Sequence, residues 1–351
     1  MKRLLSGLVT VVLVTASMVV AGAQGYFFGP PVTVPMTVTE NATYGTYNPM
    51  LYLGLGSMKR FPIVFDTGST GLRLFAVPQV GEPGSGTVCS QIPTSVTYGN
   101  PGRITYTGVV CYGYVRVGSL RTTQMVPFAL LTSASCPAAN PHCKIVTPQE
   151  HYANGDYGVF GASLSLGDVL PNPLRMLPDA YGQRFAVRLM PSRGELVLGG
   201  PFFNGVPFPL VPQGRGMLGI PAFRSAYECV FVKDGTGKEF STGACPEVVY
   251  DTGNDAPFFY ANIPGLPVTN GYVTPGTDIG FSPSLDGPIV PTLVASSTYT
   301  GQFRVDPNLF DDDLINVGIE GFLGNEVGFD AVREIQRAGV VTQGVMTIAP
   351  L

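Results

Sequence analysis

The apolar positions of the chain fall in short runs of strand length, separated by glycine, proline and asparagine. From Thr33 onward these runs include MLYLGLG, FPIVFDTG, TSVTYGN, GVVCYGYVRVG, RFAVRLM and GELVLGG. Apolar runs of this length with turn residues between them are typical of β-strands. The pattern therefore predicts an all-β protein.

One segment departs from this pattern. In FDAVREIQRA, residues 329–338, the apolar residues Phe329, Val332 and Ile335 recur at helical spacing. This spacing predicts a short helix. A last strand, GVMTIAPL, is expected to follow it.

The composition agrees with strands and turns. The chain of 351 residues contains 45 glycines and 32 prolines, and only 13% of its residues are charged, which does not favour long solvated helices. A formal net charge of −4 gives no sign of a nucleic-acid partner. The length is sufficient for two domains.

The first 23 residues have the features of an export signal. Lys2 and Arg3 precede an apolar run that ends in Ala21-Gly22-Ala23, an arrangement that signal peptidases accept. We therefore expect cleavage near Ala23, a mature chain that begins at Gln24, and a periplasmic or secreted protein. The alternative is an uncleaved membrane anchor, although serines and threonines dilute the apolar run.

Cysteine and histidine usage supports export and argues against a metal site. Six cysteines in an exported chain predict three disulfides, for which we expect sequence neighbours to pair. A hairpin turn predicted at 233–237 would bring the last two cysteines onto facing strands. His142 and His151 lie in a loop rich in proline and asparagine and are expected to be ordinary loop residues. The cysteines are Cys89, Cys111, Cys136, Cys143, Cys229 and Cys245.

One motif occurs twice. FPIVFDTGST at 61–70 and VVYDTGND at 248–255 both place Asp-Thr-Gly directly after an apolar run. Each is followed later by an apolar-apolar-Gly triplet, 159–161 in the first half and 322–324 in the second. The repeated order predicts a duplicated β unit. If the halves pack about a pseudo-twofold axis, the two turns meet.

Two aspartates that meet in this way have a definite chemistry. A single Asp-Thr-Gly would be an ordinary turn, but two carboxyl groups at the ends of buried strands share one proton. One carboxyl then acts as a base toward water while the other protonates a carbonyl oxygen. A serine hydrolase would need a histidine base beside a serine, which this chain does not offer. Asp66 and Asp251 are therefore the candidate catalytic pair.

In these motifs the chain resembles the bilobal pepsin-like aspartic peptidases, and in particular the bacterial-type members without a pro-segment. The resemblance implies two pseudo-twofold related β lobes with a cleft between them, and no cofactor. The expected division is a signal peptide at 1–23, an N-terminal lobe with the flap at 24–205 and a C-terminal lobe at 206–351. The matching segments are FDTGST (65–70), SVTYG (95–99), YTGVV and VRVG (106–118), DYGVFG (156–161), FAVRL and GELVLGG (185–200), VVYDTG (248–253), GFLGN (321–325) and MTIAP (346–350).

The resemblance also implies roles for individual residues. Asp66 would be mainly the base and Asp251 its proton-sharing partner, although the sequence leaves the position of the proton open. Supporting residues would allow the tight turns, brace the two loops across the interface and bond the outer carboxylate oxygens. In that order they are Gly68 and Gly253, Thr67 and Thr252, and Ser69 and Asn254.

A second group of residues would contact the substrate. Tyr98 and Gly99 match the β-hairpin flap that closes over a bound peptide, and Tyr106 is the alternative for the flap tyrosine. Arg73 stands where many members have a tryptophan and could stack on Tyr98. Two apolar residues would line pockets beside the scissile bond, unless they only pack in the core. They are Val159 and Phe322.

Two departures from the family bear on activity. Asn254 replaces the usual second Thr or Ser, and Arg73 replaces the tryptophan, so the pH optimum is not expected to be strongly acidic. The expected function is an exported, monomeric endopeptidase that prefers apolar residues at the cleavage site of a peptide or protein substrate. The alternative is a pepsin-fold binding or inhibitor protein with little or no activity.

Overall fold

The structure is a computed structural model that describes residues 29–41, 46–98, 104–137, 143–166, 170–201, 203–216, 219–298, 301–306, 313–337 and 340–351. The expected signal peptide, Gln24, Gly99 and His142 lie outside these residues. Of the described residues, 54% are in strands and 6% in helices, which confirms the all-β prediction. No helix in the described ranges is both long enough and apolar enough to cross a membrane.

The first half of the chain forms twelve described strands, two short α-helices and a 3₁₀ turn. The strands are β1 (Val32–Asn41), β2 (Thr46–Leu55), β3 (Met58–Asp66), β4 (Thr70–Phe75), β5 (Thr87–Tyr98), β6 (Ile104–Gly113), β7 (Val115–Val117), β8 (Leu120–Arg121), β9 (Val126–Ser135), β10 (Gly158–Ala162), β11 (Arg184–Met190) and β12 (Arg193–Leu198). The helices are α1 (Pro148–Ala153) and α2 (Asp179–Gly182), and the 3₁₀ turn is Pro173–Met176.

The second half adds sixteen described strands and a 3₁₀ turn at Ile319–Gly321. The strands are β13 (Val206–Pro209), β14 (Val211–Arg215), β15 (Pro221–Arg224), β16 (Ala226–Tyr227), β17 (Cys229–Lys233), β18 (Glu239–Ser241), β19 (Glu247–Val249), β20 (Phe258–Phe259), β21 (Val268–Thr269), β22 (Tyr272–Val273), β23 (Asp278–Ser282), β24 (Thr292–Val294), β25 (Arg304–Val305), β26 (Leu314–Asn316), β27 (Asn325–Arg337) and β28 (Val340–Pro350).

One large sheet runs through both halves. Its order is β13-β28-β27-β11-β12-β1-β2-β3-β10-β4-β9-β6-β5, with β7 paired to β2 and β8 to β7. The second half also forms a seven-stranded sheet, β16-β19-β26-β20-β25-β22-β21, and a four-stranded sheet, β18-β17-β23-β24. The large sheet therefore contains strands from both sides of residue 205, the predicted boundary between the lobes, and β11 pairs with β27 across that division.

The same three-stranded unit occurs in each half. β10 is parallel to β3 and antiparallel to β4, and β26 is parallel to β19 and antiparallel to β20. β3 ends at Asp66 and β19 ends two residues before Asp251. The predicted duplication is thus present as two equivalent units, and each unit ends at an Asp-Thr-Gly turn.

Alternation of side chains buries one face of these strands. In β3, Phe61, Ile63 and Phe65 are buried, while their neighbours are more exposed. Burial of such a side chain stabilises the fold by about 1.5–3 kcal/mol relative to exposure. The resulting core is continuous between the halves, so the turns at the strand ends are held on a rigid base.

The helix predicted at 329–338 is wrong, because the segment belongs to strand β27. β27 pairs with β28 in two registers, Asn325–Asp330 and Glu334–Arg337, with two extra residues between them. The Asp330 carboxylate accepts the backbone N–H groups of Val332 and Arg333 at this bulge. The bulge interrupts the alternation of the strand, and the apolar residues then recur at a spacing like that of a helix.

The hairpin and the disulfide pairing are as predicted. β17 and β18 pair from Phe231 to Lys233, and the Asp234 carboxylate accepts the N–H groups of Thr236 and Lys238 in the turn. The cysteines pair as sequence neighbours. The pairs are Cys89 with Cys111, Cys136 with Cys143, and Cys229 with Cys245.

Candidate active site

The first Asp-Thr-Gly turn surrounds the Asp66 carboxylate with donors. Asp66 is only 7% exposed. Its Oδ1 accepts the N–H of Gly68 at 2.7 Å and that of Ser69 at 3.1 Å. Its Oδ2 accepts the Ser69 hydroxyl at 2.5 Å. Three donors from this turn thus converge on one carboxyl group.

The second turn supplies fewer donors. Oδ1 of Asp251 accepts the Gly253 N–H at 2.9 Å, and Oδ2 accepts the side-chain amide of Asn316 at 2.8 Å. The carbonyl oxygen of the Asn316 side chain accepts the Gly318 N–H at 2.9 Å, which fixes the orientation of the amide. Asn316 thus takes the position at Asp251 that Ser69 takes at Asp66.

The role expected for Asn254 is therefore wrong. Its side-chain amide donates to the carbonyl oxygen of Ala256 at 2.7 Å, and its own N–H donates to the carbonyl oxygen of Asp251. Asparagine side chains readily bond nearby backbone groups in turns, and here that local bond draws the amide away from the carboxyl group. The outer oxygen of Asp251 accepts its hydrogen bond from Asn316 at the end of β26 instead.

The two threonines join the turns across the interface by a reciprocal set of bonds. The Thr67 N–H donates to Oγ1 of Thr252 at 3.1 Å, and the Thr252 N–H donates to Oγ1 of Thr67 at 3.0 Å. Each hydroxyl then donates to a carbonyl of the opposite strand, Thr67 to Tyr250 at 2.7 Å and Thr252 to Phe65 at 2.6 Å. Both side chains are buried, so these bonds hold the two turns in one position.

The two glycines are required by close approach. A Cβ on Gly253 would lie 2.6 Å from Cγ of Asp66, and a Cβ on Gly68 would overlap Cγ of Asp251. Neither glycine has the positive φ of a left-handed turn. Each glycine therefore makes room for the carboxyl group of the other half.

This packing determines the electrostatics of the pair. Burial is the larger cause that raises the pKa of Asp251 well above its usual range, and the negative charge of Asp66 raises it further. The Asn316 amide acts in the opposite direction. The carboxyl groups lie within hydrogen-bonding distance of each other. This direction favours the protonated form of Asp251 when the pair holds one proton.

A buried acid lies behind the second turn. The hydroxyl of Tyr250 donates to Oε2 of Glu228 at 3.1 Å, and Glu228 is completely buried. Burial raises the pKa of Glu228 well above its usual range, and it also raises that of Tyr250. Tyr250 directly precedes Asp251 and accepts the Thr67 bond through its carbonyl. No pattern in the sequence distinguished Glu228 from other acidic residues.

Tyr98 and Arg73 lie together beside the first turn. Tyr98 ends β5, and Cζ of the buried Arg73 is 5.8 Å from the centroid of its ring, as the stacking prediction requires. Burial raises the pKa of Tyr98, with a smaller rise from Asp66, while Arg73 lowers it. The buried Tyr98 hydroxyl has no hydrogen-bond partner among the described residues. Tyr98, and not Tyr106, is thus the tyrosine beside the carboxyl pair.

The structure separates the two apolar candidates. Val159 lies on β10 between Val64 and Arg73 and is partly exposed. Phe322 is completely buried, with its ring 6.1 Å from that of Tyr250, so its pocket role is wrong and core packing accounts for it.

The strand beside Asp251 is also different from the one expected. Gly161 pairs with Asp66, and the register of β26 with β19, continued by two residues, places Gly318 beside Asp251. The sequence had predicted that Phe322-Leu323-Gly324 is the counterpart of residues 159–161. The structure instead places Gly318 at the position that corresponds to Gly161. Asn316 and Gly318 occupy this strand and its end.

Comparison with known proteins agrees with this architecture. No family model and no curated protein sequence matches the chain. Among solved structures, the aspartic proteinase from Irpex lacteus is similar with a TM-score of 0.56 and 16% sequence identity, over 91% of this chain and 97% of that one. A likeness at this identity concerns the fold. The chain therefore has the bilobal pepsin-like fold of aspartic proteinases.

Proposed function

We propose that the chain is an exported aspartic endopeptidase that hydrolyses peptide bonds with a water molecule activated by Asp66 and Asp251. The observation that carries the proposal is that each carboxyl group packs against the glycine of the opposite turn, and that the two carboxyl groups have different surroundings. Three donors converge on the Asp66 carboxylate, whereas burial and the neighbouring charge raise the pKa of Asp251. The pair thus contains a base and an acid at once.

The chemistry follows from this distribution of protons. The water oxygen bonds to the carbonyl carbon while Asp66 takes a proton from that water. Asp251 gives its proton to the carbonyl oxygen in the same step. The proton on Asp66 then passes to the amide nitrogen as the C–N bond breaks. Asp251 recovers a proton from the tetrahedral diol, so both carboxyl groups return to their initial states.

Further contacts support a peptide substrate. Tyr98 ends β5 of the proposed flap hairpin and has the Arg73 guanidinium against its ring, and such a flap would exclude water when it closes over a peptide. Val159 offers a partly exposed apolar surface beside the pair, in accord with apolar residues at the cleavage site. Three disulfides suit an extracellular or periplasmic protein.

The experiment is digestion of a denatured, apolar-rich protein from pH 3 to pH 7, with and without pepstatin. Asp66→Asn and Asp251→Asn are each expected to abolish cleavage. Asp179→Asn makes the same change at an exposed site in α2 and should leave it intact. A well-folded protein without cleavage at any pH would refute the peptidase and favour the binding-protein alternative.

A further inference from the structure

A hydrogen-bonded chain of three side chains lies outside the carboxyl pair. Nδ1 of His151 is 2.7 Å from Oδ2 of Asp156, and Nε2 of His151 is 2.9 Å from the Tyr106 hydroxyl. The other oxygen of Asp156 accepts the N–H of Gly158 at 3.2 Å. His151 lies in α1 and is not the ordinary loop residue expected from the sequence.

The direction of these bonds is determined by their ends. A carboxylate only accepts, so Nδ1 of His151 donates to Asp156. Burial, followed by the charge of Asp156, raises the pKa of Tyr106 to about 12. Its hydroxyl therefore keeps its proton while it is hydrogen-bonded to Nε2 of His151. Such a chain is satisfied at every link, which favours one fixed geometry.

The chain of bonds connects the flap to the body of its lobe. Tyr106 lies on β6, the returning strand of the flap hairpin, opposite Val96 and two residue pairs from Tyr98. His151 and Asp156 belong to α1 and to the segment before β10, whose Gly161 pairs with Asp66. β6 also pairs with β9 from Thr105 to Gly113, so the Tyr106 bond adds a side-chain link between this strand and the elements that hold the first carboxyl group.

Aromatic contacts also link His151 to the strands of the flap hairpin. The His151 ring stacks on Phe75 at 4.3 Å between centroids with an interplanar angle of 16°. Tyr106 packs against Phe75 at 5.2 Å and against Tyr98 at 6.3 Å. Rings at these separations and angles attract one another beyond simple burial. Tyr98 therefore lies against a surface whose position depends on His151.

We propose that His151, oriented by Asp156, is a positioning residue that latches the flap through the Tyr106 hydroxyl and so holds Tyr98 beside Asp66. The role of the flap in holding a peptide rests on the proposed function, whereas the latch itself does not. Loss of one neutral hydrogen bond should make flap opening about fivefold more frequent.

The first test uses no substrate. Amide hydrogen exchange is measured at Ser95 to Tyr98 and Ile104 to Thr107 in the full protein and in Tyr106→Phe, which removes only the hydroxyl. Exchange at these amides should become about fivefold faster while the rest of the protein is unchanged. Tyr112→Phe removes a hydroxyl from the same strand outside the chain of bonds and should change nothing there. If these amides exchange at the same rate in Tyr106→Phe and in Tyr112→Phe, the latch is refuted.

A double-mutant cycle excludes a general loss of packing. His151→Ala should also speed exchange in the flap, but adding Tyr106→Phe to it should have no further effect, because the hydroxyl has lost its partner. Independent, multiplying effects would contradict the proposal.

A second test depends on the proposed function. Pepstatin should dissociate about fivefold faster from Tyr106→Phe than from the unaltered protein or Tyr112→Phe, because release requires the flap to open. A change in exchange without pepstatin binding would retain the latch and reject the peptidase. Unchanged exchange in Tyr106→Phe together with normal pepstatin binding would reject the latch and retain the peptidase.

Discussion

Glu228 allows a strong test of how burial controls this fold, through the substitution Glu228→Gln. The side chain is 0% exposed, and Oε2 accepts the Tyr250 hydroxyl. Oε1 has no hydrogen-bond partner among the described residues. Glutamine keeps the shape and the acceptor for Tyr250, but it does not ionise. The substitution therefore removes the titration and little else.

The magnitude follows from proton linkage. Burial raises the pKa of Glu228 in the folded protein, so between its unfolded and folded pKa values the folded state binds more protons than the unfolded state. The free energy of unfolding then falls with rising pH by about 1.4 kcal/mol per pH unit. This window opens near the unfolded value of about 4.3. The loss that Glu228 causes ends where the pH passes its folded pKa, above which the group is ionised in both states.

The assay is urea unfolding at pH 5, 6 and 7. The chain has no tryptophan, so far-ultraviolet circular dichroism reports the transition. The free energy of unfolding of the unaltered protein should fall with rising pH more steeply than that of Glu228→Gln, by at most about 1.4 kcal/mol per pH unit. Other acids with raised pKa values, including Asp251 and Glu320, are common to both proteins and cancel. Glu239→Gln, at an exposed position in β18, should match the unaltered protein. Parallel pH dependences for Glu228→Gln and the unaltered protein would refute the reasoning.

Three further outcomes are expected. Gly68→Ala should abolish hydrolysis and pepstatin binding, because its methyl group would overlap the Asp251 carboxyl; an active variant would contradict the close approach. Asn316→Leu removes a donor that lowers the pKa of Asp251, so the alkaline limb of the kcat/KM profile should move to higher pH, since activity is lost only when Asp251 loses its proton. Cys229→Ser with Cys245→Ser opens a loop of 16 residues and should lower the unfolding free energy by about 3 kcal/mol in urea titrations.

Local chemistry explains which features the sequence revealed. The turns around Asp66 and Asp251 are contiguous motifs, so their donors from Gly68, Ser69 and Gly253 were predictable from a few residues. The strand pattern was equally local, because alternation and turn residues act over five to ten positions. The disulfide of Cys229 with Cys245 followed from the short hairpin between them.

Features that depend on distant register were not predictable in this way. Asn316 reaches Asp251 because β26 runs parallel to β19, and no spacing along the chain shows that pairing. The amide of Asn254 was misassigned since its competing partner, the carbonyl of Ala256, is a backbone group without a sequence signal. His151 contacts Tyr106 only because α1 packs beside the flap strand.

The reciprocal seating of the glycines has an evolutionary consequence. The residue tolerated at position 68 is dictated by the carboxyl group of the second half, and that at 253 by the carboxyl group of the first. A mutation that enlarges either turn is therefore selected against by a contact in the opposite lobe. The surfaces of the two halves can therefore change independently of each other, whereas their two turns can change only together.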